Sequence, residues 1–187
     1  MKCAKCKIEF EPFKRNGIIL SKLCTGCLIE KAKHEKQKQW KKKKSVMKDD
    51  LKTHKDWLKD LQRVFNTYIR TRDYGKPCIS CNRMLRDNFD AGHLFTVGAY
   101  PNIRFNEDNV HGQCVHCNQH LHGAVSEYMI NLPARIGQER FDKLLSDRNI
   151  SNKLTVSEIK DSISYYKMKT KEIESKRNEQ NLLNNIF

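Results

Sequence analysis

The residues best suited to chemistry in this chain are cysteines arranged in four pairs. All eight cysteines belong to Cys-x2-Cys motifs, and none is left over. Two such pairs supply four thiolates, which fill the tetrahedral shell of a structural zinc. The spacing predicts two zinc sites, formed by Cys3, Cys6, Cys24 and Cys27 and by Cys78, Cys81, Cys114 and Cys117. The alternative is buried cysteines without metal, but paired spacing is untypical of disulfide frameworks and favours zinc in a reducing cytoplasm.

A second set of polar residues lies between and just after the central cysteine pairs. Residues 90–122 include a histidine in a short apolar stretch, a histidine-rich turn and several carboxamides. Hydrolysis of a phosphodiester needs a base that deprotonates water and a cation that stabilises the leaving 3′ oxygen. We identify His93 as the candidate base and Asn118 as the leading ligand of Mg²⁺ or Mn²⁺, which prefer oxygen donors. The alternatives are a structural histidine in a strand and an asparagine that caps a helix.

Two strands and a helix would have to place these residues in one cleft. Strand-like sequence occurs at 89–96 and 109–113, and a helix is predicted to open at the second central cysteine pair. This β–β–α unit would bring the first strand and the start of the helix together. The stretch is too short for a hydrophobic core of its own, so zinc would be needed to stabilise it.

An amphipathic helix is predicted immediately before this unit. Its apolar residues recur at three- and four-residue spacing and form one stripe, made of Trp57, Leu61, Val64, Phe65, Tyr68 and Ile69. Thr53 and Asp56 form a capping box at its start, and Gly75 and Pro77 end it. Three arginines are predicted to lie off the stripe, where they could face phosphates: Arg63, Arg70 and Arg72.

The region after residue 123 is predicted to be helical. Its helices are expected over 128–136 with a break at Pro133, over 139–145, and onward from a capping box at Thr155-x-x-Glu158. The last and longest of them could dock on the first amphipathic helix or pair with a second subunit. We expect residues 178–187 to be frayed.

The N-terminal fifty residues have a different character. Apolar residues on both sides of Asn16-Gly17, a favoured hairpin dipeptide, predict two short strands and hence a small zinc ribbon. Residues 28–50 are rich in lysine, including Lys41, Lys42, Lys43 and Lys44, and have almost no apolar members. A helix here has no apolar face to bury, so we predict an exposed arm that contacts phosphates. The alternative is a solvated linker.

Composition points to a polyanionic partner. The 187 residues have a formal net charge of +14 and a sequence pI near 9.5, which favours nucleic acid over a membrane. No apolar run approaches the roughly 18 residues of a membrane span, and the N-terminus lacks the apolar segment of a signal peptide.

Several motifs resemble those of a known nuclease family. The order Cys-x2-Cys, strand histidine, Asn-x4-Cys-x2-Cys-Asn is similar to the HNH (ββα-metal) endonuclease superfamily. A closer resemblance, to the lambdoid-phage NinG (Rap) recombination endonuclease family, rests on Pro77-Cys78-Ile79-Ser80-Cys81, Asp90-Ala91-Gly92-His93, Arg104-Phe105-Asn106-Glu107 and Gln113-Cys114-Val115-His116-Cys117-Asn118-Gln119-His120. It spans roughly residues 55–145. The resemblance implies a structure-specific endonuclease that cuts branched DNA such as Holliday junctions and D-loops.

The resemblance also implies roles for further residues. Asn109 resembles the superfamily's middle asparagine, which orients the base; a turn residue at a strand edge is the alternative. Many superfamily members carry Asp or His immediately before the base as a metal ligand, but Gly92 stands there in this chain. Asp90, the nearest carboxylate, could reach the metal if the strand is bulged or twisted. His122, four residues after Asn118 and on the same helix face, is a competing ligand.

Arg104 is a candidate for holding a phosphate oxygen, although a surface salt bridge explains it equally well. The other histidines of this region, His111, His116 and His120, are expected to support the site, contact phosphate or be exposed.

Together these observations predict an α+β protein with a zinc-stapled ββα nuclease core flanked by helices. The expected parts are a zinc ribbon (1–28), a basic helical arm (29–52), an HNH-like nuclease domain (53–150) and a C-terminal helix (151–187). The expected activity is Mg²⁺- or Mn²⁺-dependent cutting of branched DNA in the bacterial host cell. A homodimer would suit a four-way junction, which needs two symmetric cuts. The alternatives are a sequence-specific HNH nuclease of the homing or restriction type and a zinc-dependent nucleic-acid-binding protein without catalysis.

Overall fold

The computed structural model describes residues 1–184, which form an α+β protein that is mostly helical. The chain divides into two compact units, Met1–Lys52 and a second unit that begins at Thr53. None of the described helices is both long enough and apolar enough to cross a membrane.

The first unit is a short hairpin followed by one long helix. Strands β1 (Lys14–Arg15) and β2 (Ile18–Ile19) pair antiparallel. The two turn residues between them, Asn16 and Gly17, have φ values of 50° and 78°, the left-handed conformation that a two-residue hairpin turn requires. The predicted hairpin is therefore confirmed.

Helix α1 (Thr25–Asp50) begins inside the ribbon, because Cys27 lies in its first turn. The basic arm is thus a direct continuation of the second cysteine pair. Cys27 is the buried residue of this helix, and its lysines are exposed along the whole length. The prediction of an exposed helix without an apolar face is confirmed.

The second unit opens with helix α2 (His54–Asp73). The Thr53 hydroxyl accepts a hydrogen bond from the Asp56 amide (3.3 Å), and the Asp56 carboxylate accepts one from the Thr53 amide (3.1 Å), which confirms the capping box. The predicted apolar stripe is buried, with Val64 only partly so.

A two-stranded antiparallel sheet follows α2. Strand β3 (Phe89–His93) pairs with β4 (Val110–Cys114), so that Asp90 lies opposite Gln113 and His93 lies opposite Val110. The first strand ends three residues earlier than predicted, since the backbone groups of Phe95 bond to the side chain of Asn109 rather than to a partner strand. A 3₁₀ turn, Pro101–Ile103, lies in the connection.

The helix predicted at the second central cysteine pair is a single π-helical turn, His116–His120. The regular helix α3 (Val125–Ile136) begins only after Gly123 and Ala124, whose positive φ values of 92° and 41° interrupt the helical path. The predicted helix start at this cysteine pair is therefore confirmed, but the π form and the short length of the turn were not predicted.

Helix α3 also continues through Pro133, where a break was predicted. Proline removes one amide donor from the helix, and the Pro133 carbonyl still accepts from the Gly137 amide at 2.9 Å. Helices α4 (Gln138–Asp147) and α5 (Val156–Asn184) follow. The frayed end predicted for 178–187 is helical as far as residue 184, and 185–187 lie outside the described residues.

The core of the second unit has the sheet in its middle. The face of the sheet that carries Ala91 and Val110 packs on α2, and Tyr128 of α3 covers the other face. Ile159 and Ile163 of α5 pack on the start of α2, which is the first of the two arrangements that the sequence left open.

Candidate functional site

The central cysteines have the geometry of a zinc site. Ligand atoms of all four lie within 4.8 Å of one another, and the sulfurs of Cys81 and Cys114 are 3.7 Å apart. A tetrahedral zinc with Zn–S bonds of about 2.3 Å separates its sulfurs by roughly 3.8 Å, whereas a disulfide bond is only about 2.05 Å long. Four thiols at this spacing therefore fit zinc.

The N-terminal cysteines form a second site with the same geometry, with Cys6 and Cys24 sulfurs 3.6 Å apart. The Cys24 amide donates to the Cys3 sulfur at 3.3 Å, and this bond is the main reason that the pKa of Cys3 is lowered to about 6. The pKa of Cys27 is raised to about 12, first by its hydrogen bond with the Cys6 thiol. Clustered thiols cannot all ionise without a cation to neutralise them, so the opposite shifts fit a cation-binding set.

A carboxylate and two carboxamides meet beside the central cysteine cluster. Asn118 Nδ2 donates to Asp90 Oδ2 at 2.9 Å, and Gln119 Nε2 donates to the same oxygen at 2.8 Å. Asn118 directly follows Cys117, so the cysteine cluster fixes its position. The strand and the second cysteine pair thus bring two of the predicted metal ligands together.

This donor set fits a hard cation rather than zinc. Mg²⁺ is commonly bound by one or two carboxylates and keeps several water molecules, and Asp90 with the oxygen of Asn118 supplies such a set. Among residues 1–184, the clusters of three or more His, Cys, Asp or Glu ligands are the two cysteine sets. A cation at Asp90 would therefore complete its coordination with carboxamides, water and substrate.

His93 is half-buried, and its ring is held by the backbone. Its Nε2 lies 3.0 Å from the carbonyl oxygen of Arg104. A carbonyl can only accept, so Nε2 carries the proton and Nδ1 keeps its lone pair. Burial is the main factor that lowers the pKa of His93. The imidazole is therefore neutral at pH 7, which is the form that a general base requires.

His93 and Asp90 point to opposite faces of β3. Side chains alternate along a strand, so Asp90 and Gly92 share one face while Ala91 and His93 share the other. Ala91 packs towards α2, whereas Asp90 contacts the π-helical turn. The structure therefore joins the predicted ligands Asp90 and Asn118 but places the predicted base on the other side of the strand.

Asn109 positions the segment that holds His93. Its fully buried side chain accepts from the Phe95 amide (2.8 Å) and donates to the carbonyls of Phe95 (3.0 Å) and Ile103 (3.2 Å). Ile103 precedes Arg104, whose carbonyl binds His93. Asn109 thus acts on the imidazole through the backbone of this loop.

Gly92 is explained by its neighbour across the sheet. A Cβ atom at this position would lie 2.1 Å from Oε1 of Gln113. Gln113 is fully buried, and its amide donates to the Ser80 hydroxyl (2.7 Å) and the Gly123 carbonyl (2.6 Å). The Gln113 carboxamide therefore occupies the space into which a side chain at 92 would extend.

Two of the sequence predictions need correction. His122 does not share a helix face with Asn118, because the π-helical turn ends at His120 and His122 is exposed with a φ of 49°. Arg72 does not lie off the apolar stripe. Its Nη2 donates to Asp73 Oδ2 at 2.7 Å and to the Val110 carbonyl at 2.8 Å.

Of the other predicted residues, Lys41 to Lys44 are exposed on α1, and Arg104 binds α2 through its side chain. His111 is buried, with Nδ1 3.2 Å from the Tyr128 hydroxyl, and burial is the main factor that lowers its pKa to about 3. His116 and His120 lie in the π-helical turn with their rings 5.9 Å apart.

A charged network at the end of α2 was missed. Asp73 is buried and accepts from Arg72 and from the Gly112 amide (2.8 Å). Burial alone would raise the pKa of Asp73, but these hydrogen bonds outweigh it and the pKa falls to about 2. Asp73 follows Ile69 by four residues, so the inward stripe continues onto it. That spacing was the signal available in the sequence.

Comparison with known proteins gives one consistent result. The family described as "Bacteriophage Lambda NinG protein" matches residues 1–177. The chain is 41% identical over 190 residues to Protein ninG of Escherichia phage lambda, covering 94% of this chain and 93% of that protein. It is 39% identical over 190 residues to Protein ninG of Salmonella phage P22, with the same coverage. No solved structure matches the chain at a significant level.

Proposed function

The chain belongs to the NinG family, and on that premise we propose that it is a metal-dependent DNA endonuclease with an HNH-like ββα core. The observation that carries the proposal is the contact of Asp90 with Asn118, directly after the last zinc cysteine. A simple binding module does not need a structural zinc site that fixes a carboxylate–carboxamide pair. Such a site is suited to presenting oxygen ligands to a hard cation.

The proposed chemistry is hydrolysis of a phosphodiester. His93 accepts a proton from water at Nδ1, while its Nε2–H stays bonded to the Arg104 carbonyl and keeps the ring in one orientation. Asp90 and Asn118 would hold Mg²⁺ or Mn²⁺, which supplies charge stabilisation at the phosphate and the leaving 3′ oxygen.

His93 and the Asp90–Asn118 pair can act on one phosphate only at the edge of β3 that does not pair with β4. This strand pairs with β4 along one side. A phosphate at its other edge would meet both faces of the strand, with His93 on one side and Asp90 on the other. This placement follows from the alternation of the strand and is part of the proposal.

We propose branched recombination intermediates as the substrate, because the family resemblance implies them. The net charge of +14 and the exposed lysines of α1 favour DNA as the partner. A dimer would supply the two cuts that resolve a four-way junction. The expected setting is the cytoplasm of the bacterial host.

The test compares cleavage of a labelled four-way junction with that of a matched linear duplex, in Mg²⁺, Mn²⁺ or EDTA. Wild type should cut the junction in paired positions near the branch with either metal and not in EDTA. His93→Gln can still donate to the Arg104 carbonyl but cannot act as a base, so it should lose at least about a hundredfold in rate. Asp90→Asn should lose cutting and keep junction binding. Lys167→Gln, at an exposed position of α5 outside the proposed site and the arm, is the control and should cut normally.

One observation favours a second candidate, a zinc protein that binds branched DNA without cutting it. His93 and Asp90 lie on opposite faces of their strand, so the active arrangement depends on substrate at the strand edge. Tight junction binding by wild type without product in any metal would reject the nuclease and support this candidate. Equal cutting of linear duplex at one site would instead indicate a sequence-specific nuclease.

A further inference from the structure

One exposed side of α2 carries an ordered row of cations. Lys59, Arg63 and Arg70 lie at intervals of four and seven residues, which places them on one face of the helix. Arg104 reaches the same face from the loop between β3 and β4. These four residues, together with Gln62 and Asn66, line one shallow concavity, which we call the α2 cationic face.

Arg104 is oriented on this face by a chain of carboxamides. Its Nε donates to Oε1 of Gln62, and Nε2 of Gln62 donates to Oδ1 of Asn66 at 2.6 Å. The guanidinium carbon also lies 5.1 Å from the centre of the Phe105 ring. The side chain of Arg104 is therefore fixed before any ligand binds, which reduces the entropic cost of binding.

The same residue holds the candidate base. The Arg104 carbonyl accepts from His93 Nε2 at 3.0 Å, while its guanidinium points to the α2 cationic face. Because one residue carries both groups, a phosphate bound by this guanidinium would lie within about the length of an arginine side chain of the carbonyl that holds His93. Arg104 joins the two sites through its own backbone and side chain.

The row has the length and charge of a nucleic-acid contact. Lys59 and Arg70 are eleven residues apart, or about 16 Å along the helix, which corresponds to roughly five base-pair steps of duplex. Asp60 pairs with Arg63 at 2.5 Å, but the arginine remains 77% exposed. Arg70 also lines a second concavity with Arg86 and Arg177, so cationic groups continue beyond the end of the row.

We propose that the α2 cationic face binds the sugar–phosphate backbone of DNA on the side of the cleavage site next to His93, with Gln62 as the positioning residue of Arg104. The proposal rests on the proposed nuclease function for its place in the reaction, but the binding it describes does not require cutting. Arginine and lysine in a row contact successive phosphates without reading the bases. The face therefore fixes where along a strand the phosphate reaches His93.

The first experiment measures binding of the full-length protein to a labelled four-way junction in EDTA, over a series of salt concentrations. The variant Lys59→Gln, Arg63→Gln, Arg70→Gln removes three charges from the face. The control Lys167→Gln, Lys171→Gln, Lys176→Gln removes three from exposed positions of α5. The α2 variant should lose about tenfold or more in affinity, and the slope of log K against log salt should fall by up to about 2.7. The control should lose less than about threefold. Equal losses in both variants, or none in the α2 variant, would overturn the proposal.

The second experiment tests the role of Gln62. Gln62→Ala should weaken junction binding by about threefold to tenfold, because Arg104 loses its orientation. In an Arg104→Ala background the same change should have no further effect. An equal penalty in both backgrounds would overturn the positioning role, since a merely structural effect does not depend on Arg104.

The two proposals can fail separately. If wild type binds through the α2 cationic face but cuts nothing, the nuclease assignment fails and the binding face stands. If wild type cuts the junction and the α2 variant binds and cuts as the α5 control does, the face fails and the nuclease stands.

Discussion

The two cysteine clusters use the same ligands in opposite surroundings. The sulfur separations Cys6–Cys24 and Cys81–Cys114 are nearly equal, at 3.6 and 3.7 Å. In the first unit, however, the buried residues are Cys3 and Cys27 themselves. In the second, the cluster packs against Leu85, Phe89 and Ala124. The same four-cysteine arrangement therefore forms the whole core of the first unit and only one side of a larger core in the second.

The apolar residues of the ribbon do not form a core around its metal site. Ile8, Phe13, Ile18 and Leu20 are each more than 60% exposed. A segment of this size that buries so little apolar surface has no independent source of stability. We therefore expect its folding free energy to come from metal binding at the four cysteines, which is worth about 10–16 kcal/mol in small zinc domains.

The largest expected effect is the loss of the ribbon on removal of one ligand. Cys24→Ser should abolish the folded hairpin and leave the second unit with an unchanged melting temperature. Cys114→Ser should lower the melting temperature of the second unit without unfolding it completely, because apolar packing remains. Zinc content by mass spectrometry, together with Trp57 fluorescence in a Trp40→Phe background, reports the two units separately. Retention of a dispersed amide spectrum for residues 1–24 in Cys24→Ser would contradict the comparison.

Replacing one glycine in each unit by alanine tests the same difference in packing between the two units. Gly92→Ala places a Cβ against Gln113 and should destabilise the second unit by roughly 1–3 kcal/mol. Gly26→Ala, in the first turn of α1 with nothing within 4 Å, should be neutral or stabilising. Urea denaturation measures both. In the double variant with Gln113→Ala, the cost of Gly92→Ala should shrink; full additivity would reject the contact as its cause.

A smaller effect is expected in the pH dependence of the stability of the second unit. His111 in the second unit has its pKa lowered to about 3, from about 6.5 when unfolded. Below pH 6.5 the unfolded chain therefore binds a proton that the folded protein excludes, and stability should fall by about 1.4 kcal/mol per pH unit on this account. The lowered pKa of His93 acts in the same direction. The stability is fully present above pH 6.5.

Urea titrations between pH 5 and 7.5 measure this slope. His111→Gln should reduce it, whereas His34→Gln, at an exposed position of α1, should leave it unchanged. An unaltered slope in His111→Gln would show that another group carries the pH dependence.

The smallest effect on stability is expected in the arm. Replacing Lys41 to Lys44 by glutamine should change the free energy of unfolding by less than about 0.5 kcal/mol, because these side chains are exposed. Their effect should appear in binding instead. For the four-way junction, the slope of log K against log salt should fall by up to about 3.6. Unchanged affinity and slope would identify the arm as a solvated linker.

The sequence was informative wherever spacing alone decides the structure. Paired cysteines predicted both four-cysteine clusters, and three- and four-residue spacing predicted α2. Thr53 and Thr155 marked helix starts that the structure confirms. Each cysteine pair, apolar stripe and helix cap depends on residues close together in the chain, although the two pairs of one cluster are far apart. A local pattern is enough to identify them.

The errors arose where a distant partner decides the outcome. Arg72 was predicted to face phosphates and Asp73 was not predicted at all, but hydrogen bonds to the sheet hold both side chains against it. The early end of β3 depends on Asn109, fourteen residues beyond Phe95. Strand alternation alone predicts that His93 and Asp90 lie on opposite faces of β3. The two residues were nevertheless expected to share one cleft.

The close packing of Gln113 against Gly92 also predicts how these two positions evolve. A Cβ at position 92 would lie 2.1 Å from Oε1 of Gln113, so a lineage that gains a side chain there is expected to shorten residue 113 first or at the same time. Gly92→Ala alone should reduce stability, so the two positions are expected to change together. Among descendants of a common ancestor, we therefore expect a bulky 113 to accompany glycine at 92 and a small 113 to accompany anything larger.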